Sequence, residues 1–127
     1  MKSLHFIFYV FNMREELITP RSNPIKKYFA DVTKYPLLTV DEEVELFRKF
    51  NQSEWDLKQE YKDKIVKSNL RFVISIAKKY NNKDDAFFME LIQEWNIWLC
   101  TAVERFDETR WFKFISYAVR YINQSML

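Results

Sequence analysis

The sequence predicts an all-α fold, a compact helical bundle, and three observations carry that prediction. Apolar residues recur at three- and four-residue spacing along most of the chain, and no stretch alternates apolar with polar residues as a half-buried strand would. The only prolines are Pro20, Pro24 and Pro36, so everything beyond them is free of the strongest helix breaker. At 127 residues, with 48% apolar and 30% charged side chains, the chain is large enough for one packed core and too small for two.

The elements follow in order. Residues 1–22 read as an N-terminal tail without a function of its own. Met1 to Asn12 is apolar but lacks the small-residue site of a secretory leader, and Met13 opens a different composition and is a possible true start. Asn23 and Pro24 read as the cap and first residue of a short helix carrying Ile25, Tyr28, Phe29 and Val32, which ends before Tyr35-Pro36. Thr39 and Glu42 form a capping box ahead of Val40, Val44, Phe47 and Phe50. A third helix is expected along Tyr61, Ile65, Val66, Leu70, Val73, Ile76, Ala77 and Tyr80, a fourth from about Ala86 to Phe106, and a fifth from near Phe112 to Leu127.

Composition narrows the function classes. One cysteine, Cys100, and one histidine, His5, leave no disulfide framework, no Cys/His metal site and no His-based triad. No catalytic site assembles, so a non-enzyme is expected, with no cofactor, no metal and no small-molecule substrate. No apolar run approaches the roughly 20 residues that cross a bilayer, and a cytoplasmic location is expected.

The net charge of +2 hides segregation along the chain. Positions 62, 64, 67, 71, 78, 79 and 83 are basic against Asp63 alone, Asp84 to Glu94 holds four acids and no base, and beyond Glu108 come Arg110, Lys113 and Arg120 with no acid. Any one such run, taken alone, reads first as a solvated helix face.

On a helical wheel the fourth helix gathers Phe88, Leu91, Ile92, Trp95, Leu99, Ala102 and Phe106 on an arc of about 100°, the width of a core-facing stripe. Glu90, Gln93, Glu94, Ile97, Thr101 and Glu104 lie opposite, a face that fits either plain surface or docking onto another protein. The fifth helix puts Ile115, Ala118, Val119, Ile122 and Met126 on an inward aliphatic stripe. Its other side carries Lys113, Phe114, Tyr117, Arg120, Tyr121 and Gln124, without a carboxylate. Cations that neutralise phosphates beside rings that stack on unpaired bases suit single-stranded nucleic acid. Packing of the rings under a further helix explains the same pattern equally well.

Three blocks in order decide between these readings. Ser68 to Tyr80 (SNLRFVISIAKKY), Glu90 to Glu94 (ELIQE) and Phe112 to Ala118 (FKFISYA) resemble conserved region 2 of the bacterial RNA polymerase sigma factor family, sigma-70 type. Asn23 to Tyr28, continuing through Pro36-Leu37-Leu38-Thr39 to Glu42-Glu43, resembles region 1.2 of its primary members, so the likeness spans 23–127 and stops where region 2.4 begins. The resemblance implies a fragment that binds core RNA polymerase and helps recognise and melt the promoter minus-ten element. It implies docking on the coiled coil of the β′ subunit through Glu90, Gln93, Glu94 and Asn96, although the wheel sets Asn96 at the margin of that face. It implies capture of the non-template single strand, with a flipped adenine in an aromatic pocket, by Phe112, Lys113, Phe114, Ser116, Tyr117, Arg120, Tyr121 and Gln124. A polymerase-docking helical module that no longer opens promoters is the other reading.

Departures from the family pattern mark where this chain differs. A tandem tryptophan that wedges against the duplex edge in many members is Arg120-Tyr121 here, the arginine that follows is Asn123, and a base-reading threonine is Leu127. Trp95, Trp98 and Trp111 stand where the family motif has glycine, and Trp55 lies near a fourth such position, in a chain of four tryptophans and no glycine. About nine glycines would be ordinary at this length. This pattern leads us to expect a gene from a genome that reads UGA as glycine, with UGA at all four codons.

Overall fold

The computed structural model describes residues 24–80, 85–109 and 113–126. Among them are six helices and no strand: α1 (Pro24–Val32), α2 (Val40–Gln52), α3 (Trp55–Ser68), α4 (Leu70–Tyr80), α5 (Asp85–Arg105) and α6 (Phe114–Met126). The expected all-α class is the one observed. The tail at 1–22, Phe112 and Leu127 lie outside the described residues.

Local chemistry explains where the helices start. Thr39 Oγ1 accepts the Glu42 N–H at 3.2 Å while Glu42 Oε1 accepts the Thr39 N–H at 3.2 Å, so the capping box closes as the sequence indicates. Asp41, Glu42 and Glu43 in the first turn of α2 complement the positive end of its dipole.

The expected third helix is instead two helices, and it starts earlier than expected. Asn69 interrupts it: its side-chain amide donates to the Ile65 carbonyl at 2.8 Å and its N–H bonds the Val66 carbonyl at 3.0 Å, closing α3 locally. An asparagine that offers the backbone an alternative partner is a helix terminator wherever packing permits. The first turns of α3 escape the periodicity argument because the buried side is polar. Gln59, Lys62 and Asp63 are buried, while Trp55 and Leu57 are exposed.

Helix α5 forms the centre of the bundle, packing against α3, α4 and α6, with α2 packed on α3. Its buried surface, including Phe88, Met89, Ile92, Trp95, Asn96, Leu99, Cys100, Ala102 and Val103, covers about half its circumference, wider than the predicted arc. Leu91, placed in that arc by the wheel, is only half-buried, and Gln93, placed on the polar side, is buried. Burial pushes the Cys100 thiol up to about 11, so it stays a protonated, apolar filler at neutral pH.

Helix α1 is held by mixed contacts. Phe29 meets Phe88 edge to face at 5.9 Å, Lys78 lies over the Phe29 ring at 5.1 Å, and Arg71 donates to the Thr33 carbonyl at 2.6 Å. Much of the basic run of α3 and α4 is therefore engaged in packing. Lys62 pairs with Glu104 at 2.6 Å, Lys67 with Asp63 at 2.7 Å, and Lys64 covers Tyr61.

Candidate nucleic-acid interface and docking ridge

Helix α6 presents two different sides, and its phase is about half a quadrant from the one the wheel gave. The buried line is Phe114, Ala118 and Ile122, with Ile115 and Val119 at its margin. Phe114 therefore does not belong to the outward face. Its ring is fully buried between Phe47 at 5.1 Å and Phe106 at 5.3 Å. A three-ring cluster removes more apolar area from water than an aliphatic stripe would, and this sets the rotation of the helix.

On the outward side Lys113, Ser116, Arg120 and Gln124 are exposed, and no Asp or Glu occurs between 113 and 126. Tyr117 and Tyr121 are half-buried at the edge, one helical turn apart, with ring centroids 6.0 Å apart and planes 18° from parallel. Tyr117 leans on Phe106 at 5.5 Å, Trp98 meets Tyr121 edge-on at 6.2 Å, and the Arg105 guanidinium sits 5.7 Å from the Tyr121 ring. The Tyr121 ring is thus supported from α5. Arg105 adds a cation that the sequence reading did not single out, because it belongs to a different helix.

The structure also brings together a cleft of about 230 Å³ between α2, the α3–α4 junction and the start of α6. Leu37, Leu38, Val40, Phe72 and Ile115 supply apolar walls, and Glu43, Asn69 and Lys113 supply polar groups. Such convergence of a few polar groups in an apolar hollow is the usual form of a small-ligand site, and this one has room for a single planar ring system. Apart from Lys113, sequence reasoning missed these residues as a site, since they come from three separate segments with no local motif.

Glu43 accepts the Phe114 N–H at 3.3 Å, giving α6 an acceptor from α2 at its N-terminus. Burial raises its carboxyl above the usual carboxylate range, partly offset by the Phe114 N–H, by Lys113 and by Asn69. A carboxyl raised on folding binds its proton more tightly in the native state, so its stabilising contribution is present at low pH and is lost as pH rises above 4.5. Compared with Glu43→Gln, which keeps an oxygen acceptor, the parent chain is therefore expected to lose stability between about pH 4 and neutrality. Urea titrations of both proteins across that range check it, and parallel profiles would count against the shift.

Along α5, Phe87, Glu90, Glu94, Ile97 and Glu104 are exposed and Thr101 half-exposed, at alternating three- and four-residue spacing. They form one narrow ridge in which two apolar side chains are flanked by carboxylates. Glu90 and Glu94 lie on it, as the sequence indicates. Gln93 and Asn96 do not: both are buried, and Asn96 points inward to Tyr28. The reason is the width of the core stripe on a helix packed by three neighbours. Among the described residues no cluster of three or more His, Cys, Asp or Glu side chains could hold a metal, and no helix is long and apolar enough to cross a membrane.

The described residues thus form an all-helical module with a cationic, ring-bearing face on one helix and an acidic ridge on another. The sigma-70 region 2 family profile matches residues 65–127 and the sigma-70 region 1.2 profile matches residues 23–51. The chain belongs to the sigma-70 family. It is 37% identical over 120 residues to the RNA polymerase sigma factor SigA of a Bacillus species, covering 91% of this chain and 30% of that protein. It is 36% identical over 104 residues to SigA of Clostridium acetobutylicum, with 82% and 26% covered. With SigA4 of Synechococcus elongatus it shares 38% over 122 residues, with 83% and 39% covered. The chain thus spans 26% to 39% of the length of these relatives.

Proposed function

We propose that the chain is the polymerase-docking and strand-capturing part of a sigma factor, binding core RNA polymerase through α5 and the unpaired non-template strand of the promoter minus-ten element through α6. The observation that carries this reading is the outward side of α6. Exposed cations and an amide flank a stacked tyrosine pair, with no carboxylate along the helix and a base-sized cleft at its N-terminal end. Cations hold the phosphates, the rings offer stacking worth about 1–3 kcal/mol per base, and the cleft receives one extruded base, offsetting the few kcal/mol that unstacking costs. No bond is made or broken, so the activity is binding and not catalysis.

The ridge of Phe87, Glu90, Glu94 and Ile97 is the complementary surface for the polymerase, through the coiled coil of its β′ subunit. Glu90→Lys with Glu94→Lys is expected to weaken polymerase binding by tenfold or more while leaving capture of a single-stranded minus-ten oligonucleotide unchanged. Tyr117→Ala is expected to do the reverse. Fluorescence anisotropy with and without core polymerase separates the two, and both variants behaving as the parent would overturn both assignments.

One observation favours the second reading, docking without promoter opening. Tyr121 is engaged by Tyr117, Trp98 and Arg105, so it is less free to insert at a duplex edge than an unsupported ring. Binding of single strand without opening of a duplex promoter, followed by permanganate reactivity of thymines, would select that reading.

A further inference from the structure

One buried polar contact belongs to neither face. Asn96 is 2% exposed and Tyr28 is fully buried, yet the Asn96 side-chain amide donates to the Tyr28 hydroxyl oxygen at 3.1 Å, across 68 positions of sequence. Asn96 Oδ1 has no partner among the described residues, so the amide's hold on its surroundings is this bond to α1. A buried polar pair is costly to break on one side only, because the remaining group keeps its desolvation penalty with nothing to offset it.

The contact also leads somewhere. From Tyr28 the chain runs one turn to the end of α1 at Val32, where Arg71 holds the Thr33 carbonyl and Lys67 lies 5.1 Å from the Tyr35 ring centre. The next residues, Leu37 to Val40, form one wall of the cleft beside Lys113. The bond between Tyr28 and Asn96 and the Arg71 and Lys67 contacts thus lie along the segment that leads into that wall.

Building on the reading of the cleft as part of the strand-binding site, we infer that Asn96 is a positioning residue for the cleft: through Tyr28 it fixes α1 and with it the Leu37–Val40 wall, and it does not itself touch the polymerase. Tyr28 becomes a functional residue by the same argument, although it faces no partner.

A double-mutant cycle in the full chain tests this, with Asn96→Leu, Tyr28→Phe and the two combined. Replacing both polar groups by apolar ones of similar shape removes the orphan as well as the bond. Asn96→Leu is expected to bind the single-stranded minus-ten oligonucleotide about three- to tenfold more weakly in the presence of core polymerase, with polymerase affinity within about twofold of the parent. Adding Tyr28→Phe is expected to restore oligonucleotide binding to within about twofold. Hydrogen exchange is expected to show α1 amides deprotected in Asn96→Leu and protected again in the double variant, with α5 unchanged.

Loss of polymerase affinity in Asn96→Leu that Tyr28→Phe does not rescue would make Asn96 a direct contact and overturn the inference. Unchanged oligonucleotide binding in a chain whose α1 has loosened would also overturn it. Lys113→Glu separates the two levels. If it weakens the oligonucleotide while Asn96→Leu does not, only the positioning role fails; if it leaves binding at the parental level, the cleft itself is not the strand site and both readings fail.

Discussion

Phe114→Ala is expected to lower the stability of the chain by about 3–5 kcal/mol, the range for truncating a buried aromatic side chain to alanine. The ring is fully buried between Phe47 and Phe106, and Phe106 in turn supports Tyr117, so its removal opens a cavity at the meeting point of α2, α5 and α6. A domain of this size has about 5–15 kcal/mol in total, so the loss is a large share. The thermal midpoint should fall by roughly 10–20 °C. Oligonucleotide binding should be lost in parallel with unfolding, and Phe114→Leu, which fills most of the volume, should recover much of both. Tyr117→Ala removes a half-buried ring and should stay folded at ambient temperature while losing affinity. If Phe114→Ala melted with the parent yet bound the strand weakly, the ring would be a strand contact and the packing described here would be wrong.

That contrast shows how far the sequence could be read. The fold class and most helix boundaries were legible because they rest on local chemistry: the Thr39–Glu42 box, the prolines confined to the first 36 positions, and the three- and four-residue spacing of large apolar residues. The rotation of α6 was not. Bulky residues occur all around that helix, and only the location of Phe47 and Phe106, which come from other segments, makes Phe114 the inward one. A wheel weighs aliphatic and aromatic residues alike and has no knowledge of the neighbour.

Similar reasoning applies to Gln93, Asn96 and the start of α3. Polarity in a sequence is taken for exposure, yet a helix enclosed by several neighbours buries polar groups when partners come from far away, as Tyr28 does for Asn96 and Glu104 for Lys62. The cleft shows the same limit. Its apolar walls come from 37–40, Phe72 and Ile115, which only the folded chain brings together. Glu90 and Glu94, by contrast, were legible as surface, and they stand on the exposed ridge.

Lys113→Gln combined with Arg120→Gln gives the largest expected change in strand affinity, and its salt dependence tests the mechanism more sharply than its size. Both side chains are exposed, seven residues apart, which places them about 10 Å from one another along the axis of α6 on its outward side. Each cation that neutralises a phosphate of a single strand releases condensed counterions and adds about 0.7 to the slope of log affinity against log salt. Removing two full contributions would lower the slope by about 1.4, so that parent and variant converge near 1 M salt and differ by at most about 25-fold at 0.1 M. The two contributions should not be equal. Lys113 already acts on the half-buried Glu43 carboxylate and offsets part of the burial-driven rise in its pKa, so part of its field is spent within the protein, whereas no carboxylate shares α6 with Arg120. Arg120→Gln alone should therefore remove close to its full share of the slope and Lys113→Gln less. Pairing Lys113→Gln with Glu43→Gln should leave the slope where Lys113→Gln put it, while Glu43→Gln alone should steepen the parent's slope by freeing the lysine for phosphate. An affinity loss in the double variant that is the same at every salt concentration would mean that these cations shape the protein and do not hold a strand.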